Sequence, residues 1–261
     1  TLFLAQLSNL LAGNISIVHG VTGASRTLMG EEAAGADAVR VAALRLAEGR
    51  GGIALVGGAY AATRWDMMVL YHCGGLLRRG AYAPVFSRDD APGAVPGTVG
   101  AFLVLETAES ARARGARGLA RLNSVVSAQA RREGGDDGRG AMAHAFARIA
   151  PALRKRELAV ISGATGCAAP TVAEREFLGA LTRPLAVRAA GNRLGWGVEA
   201  TFPASIALAA LALQDGALPA PLESLEAPFD GAPHDVLVTG FAAWRGEALA
   251  HLSAIPAGDQ P

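Results

Sequence analysis

Helix-like and strand-like stretches alternate along this chain, and that alternation limits its fold more than any other feature. The clearest case is residues 32–48, where apolar side chains recur at helical spacing and Gly49 stands just past the end. A short apolar run over 53–56 follows and stops at Gly57-Gly58, as a strand would. The same reading predicts helices over 2–12, 66–79, 107–114, 141–153, 171–181 and 194–214. It predicts strands over 15–19, 26–29, 100–105, 119–126, 158–161 and 184–188. Residues 236–238 and 248–252 read as a terminal hairpin, while 87–96, 131–140 and 219–233 read as irregular connections and 256–261 as a tail. Alternating elements of this kind imply the α/β class.

Composition removes several alternatives. The chain has 261 residues, 51% hydrophobic against 18% charged, so it is no disordered polar tail and has length for a sizeable core. A net charge of +1 gives no electrostatic footprint for nucleic acid. Two cysteines, Cys73 and Cys167, make neither a disulfide framework nor a C-x-x-C zinc site, and a reduced cytoplasmic protein is expected. No basic segment followed by an apolar one marks a leader. The most apolar stretch, 201–213, contains Pro203 and falls short of the ~20 residues a bilayer span needs. It reads as a buried helix, so no membrane span is expected.

Few short motifs carry chemistry. Residues 195–200 fit G-x-G-x-x-A, but they lie late in the chain and open a very apolar helix, where glycines serve close packing. The five histidines (His19, His72, His144, His234, His251) are scattered, so no metal and no cofactor are expected. The segment 25–34 takes a strand into a helix through a sharp turn. A cysteine at such a helix N-terminus would be a low-pKa nucleophile. Glu31 and Glu32 stand there instead, and acidic residues are ordinary in a first helical turn.

Several segments in register resemble the β-ketoacyl-ACP synthases, condensing enzymes of the thiolase fold. They are NLLAGNIS at 9–16, GVTGAS at 20–25, the Glu31-Glu32 turn with its helix, IALVGG at 53–58 and GTVGAFLVLE at 97–106. Residues 108–115, 160–164 with 170–174, 189–199 with 206–219, and 237–241 continue the match in order. The resemblance implies a thiolase-like layered αβαβα fold, with an incomplete first half over 1–115 and a full second half over 116–261. The family's opening strand and helices would precede Thr1.

The resemblance also locates the family's catalytic places, and none keeps its residue. Glu32 holds the place of the nucleophilic cysteine, Ser162 that of the first histidine, Val187 that of the lysine and Asn192 that of the second histidine. Phe241 matches the gating aromatic. Condensation needs a thiolate to carry the acyl group and two donors for the enolate oxygen. The resemblance therefore implies a catalytically degenerate, chain-length-factor-like member of fatty-acid or polyketide biosynthesis. Its partner would be an active ketosynthase or a second copy of itself, with an acyl carrier protein as a further partner. Two alternatives stay open: an enzyme of changed chemistry, decarboxylase or hydrolase, that uses Glu32, and a purely structural remnant. Association is expected through residues 26–29 and helix 66–79.

Overall fold

The computed structural model describes residues 7–130, 137–154, 157–244 and 246–256. The chain enters through helix α1 (Leu10–His19) and an irregular segment that leads to helix α2 (Glu31–Ala47). Strand β1 (Ile53–Tyr60), helix α3 (Trp65–Cys73), strand β2 (Val99–Glu106) and helix α4 (Ala108–Ala113) follow. Next come β3 (Arg121–Ala128), α5 (Arg139–Ile149), β4 (Leu158–Ser162), α6 (Ala168–Gly179), β5 (Leu185–Ala189) and α7 (Gly191–Leu194). Helix α8 (Thr201–Asp215) precedes the antiparallel pair β6 (Asp235–Phe241) and β7 (Glu247–Ser253).

Continuous apolar runs make the centre. Strand β4 is buried at every position, the pattern of a strand covered on both faces. It lies parallel to β5 and β6 in a five-stranded sheet of order β3-β7-β6-β4-β5. Strands β1 and β2 form a separate antiparallel pair, with Leu55 opposite Val104 and Val56 opposite Leu103. Between the two sheets lie α2 and α8, whose Val39, Ile206 and Leu213 join Val56 of β1 and Ile161 and Val238 of the larger sheet in one core. The other face of the larger sheet is covered by α5 and α6 through Met142, Ile149 and Phe177. The described layers thus run sheet, helices, sheet, helices. The outward row of the small sheet is exposed: Ile53 at 52%, Leu55 at 42%, Phe102 at 42% and Val104 at 59%.

The small residues of α2 permit its central place. A Cβ added to Gly35 would stand 2.0 Å from the carbonyl oxygen of Glu199, so backbone meets backbone there. The glycines at 195–197 act likewise, since a Cβ on Gly195 would meet Gly97 at 2.8 Å and one on Gly197 would meet Val99 at the same distance. That is the packing role expected of the G-x-G-x-x-A segment.

Four elements depart from the sequence reading. Residues 15–19 belong to helix α1, closed by Gly20 in the left-handed region at φ 66°, and do not form a strand. Residues 26–29 form no strand and pair with none among the described residues. A strand needs a partner edge for its N–H and C=O groups, while a helix satisfies its own. That distinction is invisible in the run Ile15-Ser16-Ile17-Val18, where three of the four residues are β-branched. The helix expected over 66–79 ends at Cys73, beyond which Gly75 turns at φ 70° and Leu77 bridges to Ala94. The long helix over 194–214 is broken into α7, a short 3₁₀ turn and α8, because Trp196 leaves the helix to bridge with Pro96. Residues 139 and 140 of the expected 131–140 loop already belong to α5; residues 131–136, 2–6 of the first helix and 257–261 of the tail lie outside the described residues. Among the described residues no helix is long and apolar enough to cross a membrane.

Candidate functional site

The turn into α2 is backbone under strain. Gly30 takes φ 141°, and Glu31 takes φ 50°, a left-handed value that costs a non-glycine residue. This entry sets Glu32 in the first helical turn against the loop before α8 and the turn between β6 and β7. Glu32 Oε1 accepts hydrogen bonds from the indole Nε1 of Trp196 at 3.1 Å and the backbone N of Ala243 at 3.2 Å. Its Oε2 is buried and has no hydrogen-bond partner among the described residues. Burial pushes the Glu32 carboxyl above the usual carboxylate range, and Glu31 adds to that rise against the lowering effect of the hydrogen bonds. Trp196 is held by Tyr71 of α3, ring to ring at 4.8 Å, and Tyr71 in turn by Trp244 at 5.5 Å.

Glu32 lines a half-open pocket of about 260 Å³ between α2, the end of β3 and the β6–β7 turn. Asp37, Arg40, Thr201, Thr239 and Phe241 also line it. Asp37 accepts from Ser127 Oγ at 2.8 Å and pairs with Arg40 Nε at 3.0 Å. Phe241 is buried, its ring 5.9 Å from that of Phe177. Glu32 and Phe241 therefore line the same pocket.

The other three candidates do not line the pocket, although Gly163, next to Ser162, does. Ser162 is fully buried at the end of β4, and its hydroxyl donates to Glu174 Oε1 at 2.6 Å. Thr239 Oγ1 donates to the same oxygen. Burial raises the Glu174 carboxyl, and its Oε2 has no partner among the described residues. Asn192 sits in α7, and its amide nitrogen donates to Glu223 at 2.6 Å and Glu226 at 3.2 Å. Its side-chain oxygen accepts from the backbone N of Val85 at 2.7 Å. Val187 lies in β5 opposite Val160, packed among apolar side chains. The adjacent Arg188 is buried and clasps the connection before β6, donating to the carbonyls of Pro219 at 2.6 Å and Ala227 at 2.8 Å.

Sequence reasoning passed over Glu174, Trp196 and Glu226. Glu174 carries a signal of its own, an acidic residue on the apolar face of α6 between Ala173 and Phe177. Trp196 and Glu226 carry none, because their partners lie 164 and 37 residues away. The described residues contain no group of three or more His, Cys, Asp or Glu placed to hold a metal ion.

Comparisons with known proteins agree with this architecture. Residues 1–111 match the family model for the N-terminal domain of β-ketoacyl synthases. The chain is 41% identical over 109 residues to the tetracenomycin polyketide synthase ketoacyl synthase beta subunit of Streptomyces glaucescens, covering 40% of this chain and 26% of that protein. It is 34% identical over 223 residues to the granaticin polyketide protein designated beta-ketoacyl synthase 2 of Streptomyces violaceoruber, covering 80% and 51%. The chain thus spans about half the length of these curated relatives or less. Among solved structures, the oxazolomycin ketosynthase domain of Streptomyces albus superposes with a TM-score of 0.84 at 16% identity, over 98% of this chain and 50% of that one. The ishigamide ketosynthase/chain length factor gives 0.71 at 24% identity, over 89% and 61%. At such identities the structures speak for the fold, which is the thiolase-like ketosynthase fold. With the ordered sequence match, the layered fold and these relatives in hand, the chain is similar to the β-ketoacyl synthases, and its residues 1–111 match the N-terminal domain of that family.

Proposed function

We propose that this chain is a non-catalytic, chain-length-factor-like partner of an active ketosynthase in polyketide assembly. One observation carries the reading: the two hydrogen-bond donors that stand at the family's histidine places are committed to the chain's own structure. The Ser162 hydroxyl donates to Glu174, and the Asn192 amide to Glu223 and Glu226. Neither donor is left for an enolate oxygen, and Val187 supplies no cation. Glu32 carries no thiol, so no thioester forms. A general-base role for Glu32 requires an ionised carboxylate, and burial opposes ionisation. A purely structural remnant would have filled the space beside Glu32, where a pocket of about 260 Å³ is open. The naming of the similar Streptomyces glaucescens protein as a beta subunit supports the partner role.

The test is co-expression with an active ketosynthase and its acyl carrier protein. The chain alone is expected to give no β-ketoacyl product from acyl and malonyl carrier-protein substrates. With the ketosynthase it is expected to co-purify. Turnover by the chain alone well above background, or failure to associate, overturns the reading.

A further inference from the structure

Helix α1 has no core of its own. None of its residues is buried, and among the described residues no side-chain hydrogen bond leaves it. Leu11, Ile17 and Val18 stand 42%, 81% and 73% exposed. At 3.6 residues per turn they share a stripe of about 120°, the width of face that helices of globular proteins turn inward. Residues 20–27 behind the helix are exposed throughout, and a methyl group added to Gly20, Gly23 or Gly30 would meet nothing within 4 Å. Residues 10–30 therefore form an arm with little hold on the body. The small sheet is the converse. Its inner face packs on α2, with Val56 and Val39 in one core. Its outer face carries Ile53, Leu55, Phe102 and Val104, each at least 42% exposed, with Leu55 directly opposite Val104. Neighbouring register makes these one apolar patch. The molecule thus holds a helix face without a sheet and a sheet face without a helix.

We propose that two copies of the chain pair about a two-fold axis, each laying α1 across the outer face of the other's β1–β2 pair. The occupant is a second copy because one two-fold operation supplies both missing complements at once. The area suffices. A large apolar side chain brings roughly 60–120 Å² to a contact, so the seven on the two faces, counted twice by symmetry, bury roughly 800–1,700 Å². A stable interface needs roughly 1,200 Å² or more, and Met29, 80% exposed on the same arm, adds to it. The chain's own sheet is the wrong target. In a single molecule nothing competes for the outer face, yet α1 leaves that face exposed. Residues 26–29, expected at an interface, follow α1 on the same arm, so both contacts belong to one isologous surface. Pairing of this kind needs only this chain and is independent of any ketosynthase.

The test is directed disulfide formation in the full chain. Cys73→Ser removes the exposed thiol and leaves the buried Cys167. In that background Val18→Cys and Val104→Cys are made as separate chains, mixed at low micromolar concentration and oxidised. Both positions are exposed, at 73% and 59%, so neither change disturbs packing. Val18→Cys mixed with Leu225→Cys, exposed but on neither face, sets the level of chance collision. The first mixture is expected to give roughly tenfold or more of the mixed two-chain product over that level, the effect of a raised effective concentration.

Charge substitution tests the same contact without a covalent bond. Val18→Asp and Val104→Lys are each expected to raise the dissociation constant seen in light scattering roughly tenfold, as loss of a central interface residue does. A chain carrying both sets opposite charges across the contact and is expected to regain most of the affinity. Association unchanged by Val18→Asp places the contact elsewhere and overturns the proposal. A mixed disulfide at the chance level does the same, as does a disulfide that closes within one chain when both cysteines are placed in it. No rescue in the double variant, or a wild-type chain that stays monomeric, overturns it too. No ketosynthase is present in either experiment, so these failures leave the proposed function untouched.

Discussion

Glu174 is a fully buried carboxyl group that accepts from two hydroxyl donors. Burial raises it above its ordinary value of 4.5, and Glu32 and Glu199 are raised for the same first cause. The folded state therefore keeps protons that the unfolded chain releases. Stability is highest below the unfolded value and is lost as pH rises from about 4.5 through the raised folded values. Each such group contributes at most ~1.4 kcal/mol per pH unit to that slope. In urea melts at a series of pH values, the midpoint is expected to fall above this threshold. Glu174→Gln is expected to flatten the fall in part, leaving the share of Glu32 and Glu199. A slope unchanged in Glu174→Gln means that Glu174 is ionised in the native state. The sequence marks Glu32 by its place in the resemblance. What it leaves unread is the company each residue keeps, because Ser162 meets Glu174 and Thr239 only once β4, α6 and β6 are packed.

Among the elements, α2 and α1 are a contrasting pair. Helix α2 lies between two sheets and is close-packed at Gly35, where an added methyl group would stand 2.0 Å from a carbonyl oxygen. Gly35→Ala is expected to cost about 3 kcal/mol, as overpacking against backbone does, and to lower the urea midpoint accordingly. Helix α1 buries none of its residues, and a methyl group on Gly13 would meet nothing within 4 Å. Gly13→Ala is expected to stabilise by up to ~1 kcal/mol through helix propensity alone. Equal effects at the two positions would mean that α2 is not packed as described. Periodicity places α2 correctly because its apolar positions recur within one helix. It misplaces residues 15–19, because a β-branched run suits a strand or a helix until a partner edge is present or missing.

At the scale of the whole molecule, apolar surface is left uncovered. Ile17 is 81% exposed, Met29 80%, Trp65 78% and Val18 73%. The outward row of the small sheet adds Ile53, Leu55, Phe102 and Val104. Patches of several hundred Å² seldom stay open on monomers, and a stable interface buries roughly 1,200 Å² or more. Residues 26–29 and α3 remain the proposed contacts. Light scattering at low micromolar concentration is expected to report a dimer, with an active ketosynthase in the cell or with itself when alone. Trp65→Asp is expected to weaken it. A well-behaved monomer of 26.5 kDa would sink this expectation.

What the sequence determined by itself is everything that depends on neighbours in the chain. The α/β alternation, α2, the apolar strands near 100–105, 158–161 and 184–188, and the closing pair β6–β7 could all be read from periodicity and from Gly at element ends. The ordered segments were enough to suggest the family. Only the tertiary structure decided which runs became strands, since a strand's hydrogen bonds belong to a partner elsewhere in the chain. It also decided what the substituted residues do. Ser162 and Asn192 have donors in the sequence, and whether those donors are free depends on Glu174, Glu223 and Glu226, which folding alone brings within reach.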